Sequence, residues 1–196
     1  DIEPKRWKTR DEQNRVIEYQ EKNAGNFRII PVSNFSQNNQ GLLTFGSDII
    51  KLLREFRPDI IQVEQGAKAL SYAQIIALNI VLGLKAKNIF FTWWNLPYTN
   101  KFPINWLEKY NLRHTDGLIA GNQDGAEVLK AHGYRGKVKV MPQLGVDEKL
   151  FSPRSQPELK YQLGIQEEFV IGFVGRFVEE KGILTLIEAI ASLKEF

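Results

Sequence analysis

The sequence predicts an α/β protein built on a doubly wound parallel sheet. From about residue 27 onward, runs of strand length that are nearly continuous in isoleucine, valine and phenylalanine alternate with helical patterns. Strands that are covered on both faces have this composition, because neither face meets water. Repeated strand and helix units therefore indicate a parallel sheet with helices on both sides.

The elements follow in order along the chain. The predicted strands are Phe27 to Val32, Ile60 to Glu64, Asn88 to Trp93, Gly117 to Gly121, Val138 to Met141 and Phe169 to Val174. The predicted helices lie at about 46 to 56, 69 to 83, 104 to 114, 123 to 132 and 181 to 194. Pro58 and Gly133 support two of the helix ends, since the residue before proline avoids the helical region and glycine suits a left-handed cap.

The segment from Pro142 to Pro157 is rich in proline and polar residues and is the best candidate for a hinge. Residues 1 to 150 are predicted to form one domain, and residues 151 to 196 the interdomain segment and the start of a second. The opening residues 1 to 24 are polar and show no central strand, so the first domain is expected to lack its first strands. We expect the chain to be a fragment of a protein roughly twice as long.

Composition narrows the function classes. With 43% hydrophobic and 25% charged residues, the chain of 196 residues is an ordinary globular sequence. The formal charge of +3 favours anionic ligands only mildly and gives little support to nucleic-acid binding. The absence of cysteine excludes disulfides and thiol catalysis and is compatible with the cytoplasm. The longest mostly apolar run, Ser71 to Leu84, is too short to cross a bilayer.

The most informative motif follows the last predicted strand. Gly175 and Arg176, then Lys181 and Gly182, flank a short loop before the final helix. The glycines let the backbone turn sharply, while the two cations and the free amides of the helix start can surround a phosphate or diphosphate. The alternative is a solvated turn in which the neighbouring glutamates, Glu179 and Glu180, pair with the cations.

An aromatic turn follows the third strand. Trp93, Trp94 and Asn95 stand where ligands of parallel sheets gather, and their rings and amide suit a sugar. The alternative is that the two indoles fill space under a loop. Asn122 follows the fourth strand, where helix capping explains it at least as well as ligand contact.

Other polar residues give weaker signals. Gly145 and Asp147 suit a turn as well as a substrate contact. His114 and His132 are interpreted as structural, because no local pattern supplies either with a catalytic partner. Glu64 follows the second strand and could reach the cleft. No histidine–carboxylate spacing typical of a metal site and no dinucleotide signature is present, so we expect no metal and no nicotinamide cofactor.

Taken together, an ordered series of motifs resembles retaining GT-B glycosyltransferases, specifically the large family that includes many bacterial polysaccharide and lipid glycosyltransferases. The resemblance covers nearly the whole chain and rests on Arg57 to Ile61, Ala120 to Gln123, Val140 to Asp147, Phe151 to Pro153, and Ile171 to Arg176 through Lys181-Gly182. It implies two Rossmann-like domains: an acceptor domain, incomplete here, and a donor domain of which only the first strand–helix unit is present.

By this resemblance, Gly175, Arg176, Lys181 and Gly182 would bind the diphosphate of a nucleotide-sugar donor, with no metal required. Trp94, Asn95 and Asn122 would line the sugar or acceptor cleft. Many members have histidine where Trp94 stands, so that histidine's role cannot be carried over and the catalytic residue stays unassigned. Asn95 or a backbone carbonyl could substitute.

The predicted function is sugar transfer to a hydroxyl acceptor in polysaccharide or glycolipid synthesis. We expect a cytoplasmic location, with peripheral contact at the inner face of a membrane if the acceptor is lipid-linked, and an inactive fragment in the absence of the missing parts. The alternatives are a noncatalytic binding or scaffold protein that keeps the fold, and a phosphorylase of the same fold.

Overall fold

The computed structural model describes residues 1–8, 16–36, 39–154 and 157–193. The chain divides into two compact units, residues 1–145 and residues 146–196. The assignment of these parts to an acceptor and a donor domain stays a prediction.

The first unit contains both strands and helices. Its helices are α1 (Asp48–Phe56), α2 (Leu70–Val81), α3 (Ile104–Arg113) and α4 (Gln123–Ala131), with a short 3-10 helix at Gln40–Leu42. Its strands are β1 (Ile2–Pro4), β2 (Arg6–Lys8), β3 (Val16–Glu18), β4 (Lys22–Ala24), β5 (Phe27–Val32), β6 (Asn34–Phe35), β7 (Thr44–Phe45), β8 (Ile60–Val63), β9 (Lys87–Thr92), β10 (Gly117–Ala120) and β11 (Lys137–Val140).

The central element is a four-stranded parallel sheet in the order β11-β10-β9-β8. It confirms four of the predicted strands and the Rossmann-like α/β class. In this sheet, Val63, Phe90, Leu118 and Val138 form one row of paired positions across the strands. The row belongs to a core with Tyr72 and Ile76 of α2, Leu112 of α3 and Leu129 of α4.

Phe90 is the centre of this core, because its side chain is fully buried and contacts the ring of Tyr72. Truncation of a buried phenylalanine to alanine costs about 3–5 kcal/mol of folding free energy. This packing holds the strands of the parallel sheet in place. It therefore also positions the turns that follow these strands.

The opening part of the chain differs from the prediction. Phe27–Val32 is a strand, as expected, but it lies in a separate mixed sheet of order β1-β5-β4. In that sheet β5 is parallel to Ile2–Pro4 and antiparallel to Lys22–Ala24. The described residues within 1 to 24, predicted without a central strand, thus contribute short strands, and none of these strands joins the parallel sheet. Three-residue strands with polar sequences have too little hydrophobic pattern to be predicted.

Helix α1 connects the two sheets through a second core. Its buried Ile49 and Leu53 pack with Val32 of β5 and Ile75 of α2, and Ile2, Ile30 and Ile61 pack against this cluster. The helix ends at Arg57, which has a left-handed φ of 45°, directly before Pro58. The chain therefore turns sharply into β8, as the proline predicted.

In the second unit, the described residues form helices α5 (Pro157–Gln162) and α6 (Ile183–Ser192) and a 3-10 helix at Glu179–Lys181. The predicted strand Phe169 to Val174 is wrong, because these residues have no hydrogen-bonded partner strand among those described. A strand is stabilised by pairing with a neighbour, and the rest of the described unit supplies helices and turns. The run is correspondingly exposed, with Phe169 at 81% and Val174 fully open.

Candidate functional site at the carboxyl edge of the parallel sheet

The carboxyl ends of the four parallel strands bring polar and aromatic side chains together in the first unit. Gln143, three residues after β11, is the link between them. Its Nε2 donates a hydrogen bond to the Oε2 carboxylate oxygen of Glu64, which directly follows β8. Its Oε1 accepts a hydrogen bond of 3.2 Å from Nε1 of Trp93, directly after β9. One amide therefore joins the turns after three different strands.

Trp93 is held in place by the turn after β10. Its ring makes an edge contact with Phe91, at 5.3 Å between centroids. A Cβ atom at Gly121 would overlap the six-membered ring of Trp93 and lie 2.7 Å from its Cδ2. Only glycine at position 121 leaves room for the indole. The sequence Ala120-Gly121-Asn122 therefore determines where the Trp93 ring lies, whether or not a ligand is bound.

Trp94 is positioned by its own turn and by a cation. Its backbone N–H donates to Oγ1 of Thr92 at 3.1 Å, and its Nε1 donates to the carbonyl of Leu96 at 2.7 Å. Lys68 Nζ lies 5.1 Å from the Trp94 ring and 3.7 Å from the ring of Tyr98. A cation against ring faces at these distances is attracted by their quadrupoles.

The two indoles are not buried fillers. The exposed fractions are 45% for Trp93 and 53% for Trp94, so the space-filling alternative is wrong for the described structure. Asn95, the third predicted residue of this turn, is also exposed. Exposed indole faces beside an amide and a carboxylate can stack on the apolar face of a ring and hydrogen-bond to hydroxyl groups.

Asn122 has a structural role in which both ends of its side-chain amide take part. Its Oδ1 accepts a hydrogen bond of 2.7 Å from the N–H of Gly125 and caps helix α4, which confirms the capping interpretation. Its Nδ2 donates to the carbonyl of Trp93 at 3.3 Å. The structure thus brings Asn122 to the same edge as Trp94, but with both ends of its amide engaged inside the protein.

A cluster of buried polar side chains holds Tyr98 and Asn100, which follow the aromatic turn. Glu108 of α3 is 1% exposed, and its carboxylate accepts hydrogen bonds from the hydroxyl of Tyr98 and from Nδ2 of Asn100. His132 contacts the same carboxylate through Nδ1 at 2.8 Å and the carbonyl of Tyr98 through Nε2 at 3.0 Å. The structural interpretation of His132 is therefore confirmed, with a partner that no local sequence pattern showed.

The pKa values of two side chains, Glu3 and Tyr98, are shifted in this part of the structure. Burial raises the pKa of Glu3, and the nearby charge of Glu64 raises it further, against the opposing effect of the amino terminus. Burial also raises the pKa of Tyr98 far above its usual range, and the hydrogen bond to Glu108 adds to this shift. Tyr98 is therefore a neutral hydrogen-bond donor at neutral pH.

The predicted diphosphate loop lies in the second unit. Gly182 has a left-handed φ of 67° and directly precedes α6, a conformation that glycine adopts without strain. Arg176 and Lys181 are exposed. Within the described residues, neither cation lies within ion-pair distance of Glu179 or Glu180, so the pairing alternative is not observed. Asp147, near the start of the unit, makes a turn by accepting from the N–H groups of Lys149 and Leu150.

Sequence reasoning missed three contributors to the site. Gln143 lies within the motif Val140 to Asp147 but is not singled out there, and neither Lys68 nor Glu108 is singled out. Glu108 had no visible signal, because its partner His132 is 24 residues away in the chain. Gln143 had one available signal, since it stands at the carboxyl end of a predicted parallel strand.

Two kinds of feature are absent from the part of the chain that the structure describes. No helix in that part of the chain combines the length and apolar character needed to cross a membrane. Nor do the same residues contain a group of three or more histidine and acidic side chains that could hold a metal ion.

The chain is similar to an archaeal protein from Methanocaldococcus jannaschii that is named "Uncharacterized glycosyltransferase MJ1059". The two sequences are 24% identical over 157 residues, a match that covers 75% of this chain and 39% of the relative. This chain thus spans about two fifths of the relative's length. No protein-family model and no solved structure matches the chain. Its similarity is therefore to a protein named as a glycosyltransferase.

Proposed function

We propose that this chain is part of a retaining GT-B glycosyltransferase that moves a sugar from a nucleoside-diphosphate donor to a hydroxyl acceptor in polysaccharide or glycolipid synthesis. The observation that carries the proposal is the group of Trp93, Trp94, Gln143 and Glu64 at the carboxyl edge of the parallel sheet. Exposed indoles next to hydrogen-bonding side chains are the recognition chemistry of a sugar. The archaeal relative supports the same reaction class.

The acceptor contacts belong to the first unit in this proposal. Trp94 and Asn95 would face the sugar or acceptor, with Trp93 and Gln143 as neighbours. Asn122 would act as a positioning residue, because its amide is used to cap α4 and to hold the Trp93 carbonyl. Lys68 would hold the Trp94 ring in place by its contact with the ring face.

The donor diphosphate belongs to the loop of the second unit. Arg176 offers a planar fork for two phosphate oxygens, and Lys181 offers a point charge. Gly182 supplies the turn into α6. The first amides of this helix have no acceptor within the helix, so they are available to an anion. No metal is needed for this arrangement, because the cations and amides supply the positive charge themselves.

The chemical step exchanges one bond at the anomeric carbon for another. The bond from that carbon to the diphosphate oxygen breaks, and the electron pair leaves with the nucleoside diphosphate. Arg176 and Lys181 stabilise this developing charge, which is the main catalytic contribution that the proposal assigns to protein side chains. The acceptor oxygen forms the new bond, and its proton passes to the departing diphosphate.

The test measures binding of UDP, GDP and ADP to this chain by calorimetry at low and high salt. We expect all three to bind alike, because the loop contacts the diphosphate that they share, and to bind more weakly at high salt because the contacts are ionic. Arg176→Ala and Lys181→Ala should each weaken binding about tenfold to hundredfold, as expected for loss of a charged hydrogen bond.

Lys149→Ala is the matched control, because Lys149 is another exposed cation of the second unit. Its removal should leave nucleotide binding unchanged. If the chain binds none of the three nucleotides, the result would contradict the proposal and favour a noncatalytic binding protein. Equal losses in all three variants would show that binding depends only on net charge.

A further inference from the structure

Lys68 lies between β8 and α2, and the backbone on either side of it is anchored in the core. Its neighbours Ala67 and Ala69 are only 5% and 2% exposed. Their carbonyl groups accept hydrogen bonds of 2.9 Å and 3.1 Å from Nδ2 of Asn111, a fully buried side chain of α3. One buried amide therefore fixes the point from which the half-buried Lys68 side chain extends toward the aromatic turn.

The ring of Tyr98, which faces the Lys68 ammonium, is itself held in place. Its hydroxyl donates to the buried Glu108 carboxylate, and its ring packs on His132 at 4.2 Å and edge-on to Trp94 at 6.1 Å between centroids. Lys68 Nζ lies 3.7 Å from the Tyr98 centroid and 5.1 Å from the ring of Trp94. The ammonium therefore stands in a corner between two rings that other parts of the first unit hold in position.

No carboxylate neutralises Lys68 in the part of the chain that the structure describes. Its Nζ has no acidic partner within ion-pair distance there. The two carboxylates around the site have other partners, since Glu64 accepts from two side-chain amides and Glu108 from a tyrosine hydroxyl and an amide. Ring faces attract a cation but accept hydrogen bonds only weakly, so the ammonium keeps donors for a negatively charged group.

The two ends of the candidate site therefore differ in chemistry. Beside Trp93, Gln143 and Glu64 offer an amide and a carboxylate, which suit the hydroxyl groups of a sugar. Beside Trp94, which is 53% exposed, the charged group is the Lys68 ammonium. A neutral sugar bound against both indoles would leave this cation without a partner, whereas a sugar with a negative charge would supply one.

We infer that the sugar bound at this edge carries a negatively charged group, a phosphate or a carboxylate, that pairs with Lys68. The inference rests on the proposed function, and it narrows the acceptor of that reaction to an anionic sugar. If Lys68 served only to hold the Trp94 ring, the site would bind neutral and anionic sugars equally well. The preference between the two kinds of sugar is therefore the quantity to measure.

The test is a titration followed by NMR at the indole N–H signals of Trp93 and Trp94. A phosphate could also bind Arg176 and Lys181, so the titrations use the full chain with Arg176→Ala and Lys181→Ala as background. The ligands are glucose, glucose 6-phosphate, glucuronate and inorganic phosphate. Both charged sugars should bind on the order of tenfold more tightly than glucose, as expected for one charged hydrogen bond. Inorganic phosphate should bind more weakly than the sugar phosphate, because it has no ring to lie on the indoles.

Matched variants assign the effect to one ammonium. Lys68→Met keeps an unbranched apolar side chain against the rings but removes the charge, so the preference for charged sugars should disappear while glucose binding stays unchanged. Lys68→Arg keeps the charge, and the preference should persist. Lys109→Met is the control, because it removes one exposed cation from α3 of the same unit and should leave the preference intact.

The two charged sugars distinguish the source of the charge. Tighter binding of glucose 6-phosphate than of glucuronate would identify a phosphate on the acceptor, and the reverse order would identify a carboxylate. Both results support the inference, provided that the preference over glucose is lost in Lys68→Met.

Several outcomes would overturn the inference. Equal affinities for glucose and the charged sugars, or no binding of any sugar, would leave Lys68 as a support for the Trp94 ring. Equal losses in Lys68→Met and Lys109→Met would assign the preference to net charge. Inorganic phosphate that binds as tightly as glucose 6-phosphate would show that the sugar ring takes no part. None of these results bears on nucleotide binding at Arg176 and Lys181, which is measured separately with those side chains intact.

Discussion

His132 places both nitrogens of its ring against oxygen acceptors, with Nδ1 2.8 Å from the Glu108 carboxylate and Nε2 3.0 Å from the Tyr98 carbonyl. These two contacts join α3, the end of α4 and the aromatic turn. The pair is a scaffold for the candidate site rather than a part of its chemistry.

Replacing His132 should therefore be costly. His132→Leu removes the bond from Nδ1 to the buried Glu108 carboxylate and the bond from Nε2 to the Tyr98 carbonyl, so a loss of about 2–3 kcal/mol is expected from the acceptors left without this partner. Urea unfolding measures this change. His114→Leu is the control, because the His114 ring bonds to the Tyr110 carbonyl and packs on the Tyr110 ring, and a loss of about 1 kcal/mol is expected there. Equal losses in the two variants would contradict the scaffold role of His132.

The packing of Trp93 on Gly121 gives a second prediction. Gly121→Ala places a methyl group inside the volume of the indole, so the ring must move or the turn must shift. We expect a changed tryptophan emission spectrum and a loss of about 1–3 kcal/mol, as for other overpacked sites. Gly145→Ala should alter neither quantity, because a Cβ at position 145 meets nothing within 4 Å.

Gln143 gives a third prediction. Gln143→Ala removes the bonds that join Trp93 and Glu64, and the freed indole should show a red-shifted emission in water. The free energy of unfolding should fall by about 1 kcal/mol or less, because the bonds are exposed to solvent. Gln123→Ala removes another exposed side-chain bond, to Glu127, and should leave the emission unchanged. An identical spectrum in the two variants would show that Gln143 does not hold the ring.

The lowered pKa of Asp116 predicts that the free energy of unfolding depends on pH in the acid range. Burial acts to raise the pKa of Asp116, but hydrogen bonds from Lys87 and from the N–H of Asn88 outweigh it and lower the pKa. Because the folded pKa is depressed, the contribution to stability is present above the unfolded value of about 3.9 and is lost as the pH falls through the folded value. The Lys87 partner is 68% exposed, so the gain is about 1 kcal/mol or less.

Asp116→Asn tests this linkage. Urea midpoints of the native chain and the variant should differ near neutral pH and converge in acid as Asp116 takes up its proton. A difference that stays constant over the acid range would assign the effect to packing rather than to charge.

The buried tyrosines predict the opposite behaviour in alkali. Burial raises the pKa values of Tyr72, Tyr98 and Tyr134, and the hydrogen bond to Glu108 raises that of Tyr98 further. Their contribution is fully present below the unfolded pKa of about 10 and is lost as the pH rises toward the folded values. Ultraviolet titration should show these side chains ionising only when the chain unfolds. Tyr98→Phe should make stability less sensitive to alkali, and an unchanged profile would contradict the shift at Tyr98.

Much of the first unit could be predicted because its signals are local. The apolar runs at Ile60, Asn88, Gly117 and Val138 each formed a parallel strand, and Asn122 capped the helix that it precedes. The run at Phe169 has the same composition and forms no strand, because pairing depends on a neighbour that composition does not show. An apolar run therefore indicates that a segment can form a strand, but the strand forms only where a neighbouring strand pairs with it.

The candidate site was only partly predictable for a related reason. Trp93 ends a predicted strand, and Trp94 and Asn122 directly follow predicted strands, so topology alone placed them at one edge. Glu108 and Lys68 act from helix α3 and from the segment before α2, and nothing in their local sequence sets them apart. Their roles follow from side-chain packing between distant segments, which a reading of motifs along one sequence does not contain.

The amide of Asn122 has a practical consequence for measurement. It connects the carbonyl of Trp93 to the N–H of Gly125, and the Trp94 carbonyl also lies against Gly125. A displacement of the backbone that carries the two indoles is therefore transmitted to the first turn of α4, away from whatever molecule causes it. The Gly125 amide resonance is a built-in reporter, and it would register sugar occupancy without any label on the sugar.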